Sequence, residues 1–212
     1  MNIHRFTFND FSENTYVVWD NSKSCLIFDP GCNSSEERKR LSSFIAEKAL
    51  TPVGLINTHC HIDHVLGNEY VARSYGLKLQ SHAGEVPVLE ACEMVSKMYG
   101  ISYTPSPDIE VFLDEGQSLK FGNSQLEIFF TPGHSPASIS FYNAEANILI
   151  AGDVLFQMSI GRTDLPGGNF ETLAESIKTK LYTLPDETIV YPGHGPETNI
   201  GFEKKNNPFV RI

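Results

Sequence analysis

Five of the seven histidines stand just beyond short apolar, β-branched runs, among residue types that hold divalent cations. Val53 to Asn57 leads into Thr58-His59-Cys60-His61-Ile62-Asp63-His64, and Leu126 to Phe130 leads into Thr131-Pro132-Gly133-His134. Asn147 to Ala151 leads into Gly152-Asp153, and Thr188 to Tyr191 into Pro192-Gly193-His194. Side chains two apart in an extended segment point the same way, so His59 and His61 can serve one centre. Asp63 and His64 follow where the chain turns into a helix, and can face a second. Two neighbouring metal ions can thus be served, with Asp153 as a carboxylate able to bridge them. Imidazole and carboxylate without thiolate suit zinc, iron or manganese alike. Such ions ionise water and polarise carbonyls, which is hydrolytic chemistry.

The remaining reactive side chains read more plainly. Asp29, in the turn Asp29-Pro30-Gly31, is suited to accept hydrogen bonds from loop backbone rather than to hold metal. His82 reads as a helix cap or pocket rim, and His4 has no partner motif. Cys60 lies between two ligands whose side chains face the other way, which fits a small buried hydrophobe better than a nucleophile. Arg162, among glycines, can receive a substrate carboxylate or pair with Asp164. The glycine-rich stretch lacks the lysine of a phosphate-binding P-loop. Met94 to Asp108, which carries Tyr103, has the length and irregularity of a lid, and fits equally a helix end followed by a packed surface loop.

Positioning these groups requires strands whose carboxyl ends converge, as they do in α/β sheets. The chain opens as a β-meander: Ile3 to Phe8, Thr15 to Trp19 and Ser24 to Phe28. The capping box Ser34-x-x-Glu37 and the stripe Leu41, Phe44, Ile45 predict a helix over about 34 to 49. Next come strand Val53 to Asn57, helix His64 to Tyr75 stopped by Gly76, strand Leu77 to Ser81 and helix Glu85 to Met98. Strands resume at Gln125 to Phe130, Ser138 to Tyr142, Asn147 to Ala151 and Thr188 to Tyr191, with a helix opened by Asn169 and striped by Leu173, Ile177 and Leu181. With 212 residues, 41% hydrophobic, and no linker or repeat, one domain with a sizeable core is expected.

Sixteen Lys and Arg against 26 Asp and Glu give a net charge of -10, which disfavours nucleic acid as a partner. The amino end has no apolar segment fit for a signal or a membrane span, so a cytoplasmic protein without membrane contact is expected, with its four scattered cysteines reduced. Oligomeric state is not written in the sequence.

The motif His59-x-His61-x-Asp63-His64 followed by His134, Asp153 and His194 resembles the signature of the metallo-β-lactamase superfamily. Within it, Asp29-Pro30-Gly31, Gly133-His134-Ser135-Pro136, Gly152-Asp153-Val154-Leu155-Phe156, the stretch Ser159 to Gly168, Tyr191 to Pro196 and Asn206-Asn207-Pro208-Phe209 are similar to the short relatives of glyoxalase II. The resemblance implies an α/β fold, a four-layer αβ/βα sandwich with two mixed β-sheets. It implies metal one on His59, His61 and His134, metal two on Asp63, His64 and His194, and Asp153 between them. β-Lactamases of the superfamily lack that bridging aspartate, which turns the reading away from them.

The implied activity is binuclear hydrolysis of S-lactoylglutathione or a similar small anionic thioester, with zinc as first choice of metal and iron or manganese also suited. A metal-bridging hydroxide oriented by Asp63 would attack. A thiolate of conjugate-acid pKa about 8.5 leaves without a general acid. Arg162 and Tyr103 are the candidate substrate contacts. A lactonase and an iron-dependent persulfide dioxygenase are alternatives on the same motif. A non-catalytic metal-binding module is the alternative of another class, although such modules usually lack a ligand. Two-domain glyoxalase II binds glutathione through a C-terminal helical domain; this chain stops shortly after Phe209, and a single domain over 1–212 is expected.

Overall fold

The computed structural model describes residues Met1–Arg211, which fall into two compact units: Met1–Phe112 with Lys120–Gln125, and Leu113–Leu119 with the chain from Leu126 onward. The first is built on a six-stranded sheet of order β1-β2-β3-β4-β5-β6. Strands β1 (Asn2–Phe8), β2 (Glu13–Trp19) and β3 (Ser24–Phe28) form the expected meander, all antiparallel. Strands β4 (Thr51–Ile56), β5 (Leu79–Ser81) and β6 (Ile109–Phe112) then pair parallel, so the sheet is mixed.

Helix α1 (Ser35–Glu47) starts at the predicted capping box: the Ser34 side chain accepts from Glu37 N, and the Glu37 carboxylate returns to Ser34 N. Its Leu41 and Ile45 enter a core shared with Phe6, Phe8, Val17, Ile27, Leu55 and Leu79. His4, to which the sequence assigned nothing, stacks on Phe44 at 4.1 Å.

The helix expected over His64 to Tyr75 is broken. A four-residue α2 (Ile62–Val65) is followed by α3 (Asn68–Tyr75), which ends as predicted at Gly76 in the left-handed conformation. The break lies at Gly67, whose N–H donates to Pro30 O at 2.6 Å. A Cβ there would stand 2.6 Å from Cys32 Sγ and 2.7 Å from Pro30 O, so only glycine lets the Asp-Pro-Gly loop approach so closely. After a 3₁₀ turn, α4 (Val86–Tyr99) ends at Gly100.

The second sheet has order β14-β13-β10-β9-β8-β7: β7 (Ser118–Phe121), β8 (Ser124–Phe130), β9 (Ile139–Asn143), β10 (Ile148–Gly152), β13 (Ile189–Pro192) and β14 (Thr198–Asn199). Strand β10 is parallel to β13 and antiparallel to β9, so this sheet is mixed too. A separate hairpin pairs β11 (Leu155–Phe156) with β12 (Ser159–Ile160).

Asn169 caps α5 (Phe170–Thr179) as expected, accepting from Thr172 N at 2.8 Å. Leu173 and Ile177 are buried, while Leu181 belongs to a following 3₁₀ turn rather than to the helix. Helix α6 (Ile200–Asn206) closes the described chain. Strands β6, β7, β11, β12 and β14 and helix α6 escaped the sequence reading. They are short and fall beneath the run length that an apolar pattern needs. The expected α/β class with two mixed sheets is present. No helix among the described residues is long and apolar enough to cross a membrane.

Candidate metal centre

In the first unit the four donors follow β4. His59 and His64 are fully buried, and Asp63 is largely so. The His59 ring lies 4.8 Å from that of His61 and 4.1 Å from that of His64, and His64 Nε2 is 3.5 Å from Asp63 Oδ2. Proton order on the imidazoles follows from their neighbours. The Thr58 hydroxyl donates to Asp29 Oδ2 at 2.7 Å, so it must accept from His59 Nδ1 at 3.1 Å. His64 Nδ1 likewise faces carboxylates, Asp29 Oδ2 at 3.3 Å and Glu13 Oε1 at 4.0 Å. The His59 ring therefore carries hydrogen on Nδ1 and turns an Nε2 lone pair inward, the tautomer that binds a cation, and the carboxylates facing His64 Nδ1 favour the same tautomer there.

Asp29 does what its turn suggested, accepting Thr58 N at 2.7 Å, and it also orients His64. Its own backbone is left-handed, φ 46°. Three further carboxylate or amide side chains had no sequence signal, because their partners are distant in the chain. Buried Glu85 accepts Cys60 N at 2.9 Å and fixes the backbone between His59 and His61. Asn9 Nδ2 donates to Asp63 O at 3.0 Å and to Gly31 O at 3.1 Å. Fully buried Glu13 has its carboxyl pushed well above the usual range by burial.

In the second unit, His134, Asp153 and His194 follow β8, β10 and β13 respectively. Asp153 Oδ2 lies 3.4 Å from His134 Nε2 and 3.5 Å from His194 Nε2. Two donors on one tetrahedral ion at about 2.1 Å stand about 3.4 Å apart, so each of these two pairs, taken by itself, has the spacing of two donors to one cation. His134 Nδ1 lies 2.8 Å from Arg162 O, and a carbonyl only accepts, so here too Nε2 is the metal-facing nitrogen. Gly133 before it, at φ 126°, is required by packing rather than by a crowded centre: a Cβ would run into the backbone of Leu173 on α5. The donors present, imidazole Nε2 and carboxylate oxygen, fit divalent metals and leave the element open.

The other candidates separate clearly. Arg162 grips Asp164 through two 2.7 Å bonds, both side chains exposed, and that contact holds the Asp164 carboxyl down to about 2. Tyr103 packs half-buried on the first core, its hydroxyl accepting Ser106 N at 3.0 Å, while the Ser106 hydroxyl receives Asn68 Nδ2 at 2.9 Å. Residues 100 to 108 are thus tied to the first unit. His82 caps the 3₁₀ turn, accepting from Gly84 N. All four cysteines are free and buried; burial raises the Cys60 thiol well above its ordinary range, which suits the buried-hydrophobe reading and not a nucleophile.

A sequence profile described as the metallo-beta-lactamase superfamily matches residues 8–194. Hydroxyacylglutathione hydrolase GloC of Haemophilus influenzae is 37% identical over 99% of this chain and 98% of its own. Among solved structures, the B3 metallo-beta-lactamase BLEG-1 is 36% identical, with TM-score 0.90 over 99% of both chains. TTHA1623, crystallised in a di-iron-bound form, is 32% identical, with TM-score 0.88 over 98% of this chain and 100% of that one.

Proposed function

The chain belongs to the metallo-β-lactamase superfamily of hydrolases, and on that footing we propose that it is a binuclear thioesterase of the hydroxyacylglutathione hydrolase kind. In this reading the two units act as one catalytic domain in the cytoplasm, on small anionic thioesters. His59, His61 and His134 would hold one metal and Asp63, His64 and His194 the other, with Asp153 available to both. The observation that carries it is Asp153 Oδ2 placed almost equally from His134 Nε2 and His194 Nε2. A carboxylate oxygen so placed suits two ions held side by side, and the similarity to GloC supplies the substrate class.

When bound, two divalent ions would activate water and polarise the scissile carbonyl. The chain's own residues do the rest. Thr58, Asp29 and the Arg162 carbonyl keep the imidazole protons on Nδ1. Asp63, with a second carboxylate oxygen, accepts a hydrogen bond from the attacking water and orients it. No side chain need protonate a thiolate leaving group, whereas an amine leaving group requires a proton.

The likeness to BLEG-1 favours a second reading, β-lactam hydrolysis, and the di-iron form of TTHA1623 keeps iron beside zinc. Purified protein of measured metal content, assayed against S-lactoylglutathione, a lactone, a β-lactam, and glutathione persulfide with dioxygen, tests the proposal. The thioester should give the highest kcat/KM. Preferred turnover of the lactone or β-lactam, or dioxygen uptake with persulfide, overturns it.

Arg162 offers a finer expectation. Its exposed pair with Asp164 is easily exchanged, and its planar fork suits a substrate carboxylate. Arg162→Ala should raise KM about tenfold for a carboxylate-bearing thioester with kcat little changed, since the contact is made equally in ground and transition states. A neutral thioester should be unaffected. Equal losses on both substrates would make Arg162 a structural partner of Asp164 alone.

A further inference from the structure

We propose that the β11–β12 hairpin recognises an alkyl segment flanking the substrate's thioester bond, with Met158 and Phe156 as its contacts; this rests on the thioesterase reading above. The hairpin is turned by Gln157 and Met158 between the pairs Phe156↔Ser159 and Leu155↔Ile160. Met158 has φ 57°, a left-handed backbone where glycine or asparagine is the ordinary occupant, yet the position carries a large apolar side chain that is 44% exposed.

That conformation is held from below. Both oxygens of Glu203, which is fully buried, accept Met158 N at 3.2 and 3.1 Å. Glu203 is itself fixed by the Thr198 hydroxyl at 2.5 Å and by Asn207 Nδ2 at 2.9 Å, and Asn207 Nδ2 also donates to Ser159 O at 3.0 Å. A buried carboxylate that ties the turn amide to Thr198 and Asn207, beneath a strained residue, overdetermines the turn. Of the two exposed turn residues, Gln157 is polar and Met158 supplies the apolar surface.

Phe156, next to that turn, lies beside a candidate metal-binding residue of the same unit. The Phe156 ring stands edge-on to the His194 ring, at 6.3 Å and 88°. The hairpin begins two residues after Asp153, and the residue two beyond β12 is Arg162, whose carbonyl orients His134. A methionine adapts to irregular alkyl shapes, and a Phe edge completes an apolar wall. Substrates with an alkyl group on either side of the thioester would be selected over purely polar ones.

The test uses a series of thioesters in which the acyl chain, or separately the S-alkyl chain, is lengthened from ethyl to octyl. In Met158→Gly the KM for the octyl member should rise about tenfold, the rise shrinking with chain length. Its Tm should equal or exceed that of the parent, because glycine adopts the turn without strain. Met158→Asn, also tolerant of the left-handed backbone, should show the same kinetic loss. Which series responds tells whether the acyl or the thiol side meets the hairpin.

A second readout needs no turnover: alkyl carboxylates should raise the parent's Tm increasingly with chain length, and Met158→Gly should abolish the increase. Unaltered chain-length dependence in both readouts would overturn the proposal, leaving Met158 a turn residue only. A lowered Tm with equal losses on every substrate would overturn it as well. If the parent cleaves no thioester but the Met158-dependent Tm series persists, the thioesterase reading fails and the recognition site stands.

Discussion

Asp153→Ala should fold normally, retain at most one tightly held metal ion per chain, and turn over thioester about a thousandfold more slowly or worse. Asp153 follows β10, whose Leu149 and Ala151 supply the core of the second unit, so the fold loses no packing with the carboxylate. The metal pair loses more. Two dications held close repel strongly in a water-poor site, and a shared anionic oxygen is what offsets that repulsion. With alanine, His134 and His194 lose the oxygen that lies 3.4 and 3.5 Å from their Nε2 atoms. Elemental analysis beside kinetics and circular dichroism decides the matter. A variant with the parent's stoichiometry and rate would sink the binuclear mechanism.

The second large effect is expected at Asp29, far from any reacting atom. Asp29→Ala removes the acceptor of two 2.7 Å hydrogen bonds from the buried Thr58 and the carboxylate facing His64 Nδ1. Leaving buried donors without partners costs about 1–3 kcal/mol each, so a loss of about 3 kcal/mol in urea unfolding of metal-free protein is expected. Metal affinity, read by chelator competition, should fall about 10- to 100-fold as His59 and His64 lose their fixed tautomers. Asp29→Asn separates the two effects. Its shape is preserved, but its amide presents hydrogens to the Thr58 hydroxyl and to His64 Nδ1–H. The hydroxyl then loses the acceptor that fixed its proton, and with it the constraint that kept it accepting from His59 Nδ1. Unchanged metal affinity in both variants would limit Asp29 to a loop staple.

Much of the scaffold was legible because it is written locally. The capping box at Ser34, the Asn169 cap and the left-handed Gly76 each act within one helical turn, and each element starts or stops where its residues predict. The candidate donors stand out in the sequence for the same reason: each follows the end of an apolar strand. What escaped depends on approaches between distant stretches. The break at Gly67 reads as a tolerable glycine in a helix until Pro30 and Cys32 are placed against it. Glu85 reads as an ordinary acid at a helix start, yet it is buried under Cys60 N. Glu13 and Asn9 lie in the opening meander, where polar residues at a hairpin turn attract no notice. The strands β6, β7 and β14 show no pattern long enough to detect, being defined by the neighbours they pair with.

Arg162 serves its two purposes with different atoms: the backbone carbonyl holds His134 in its tautomer, while the guanidinium points into an exposed ion pair. Any amino acid at position 162 would bring the same carbonyl. If Arg162 meets substrate as proposed, selection for a new substrate can rewrite this side chain without disturbing His134. The histidines of the first unit have no such freedom, because Thr58 and Asp29 orient them through side chains. A lineage of this fold is thus expected to drift in substrate choice along the stretch after β12 while the Asp29–Thr58 pair stays frozen.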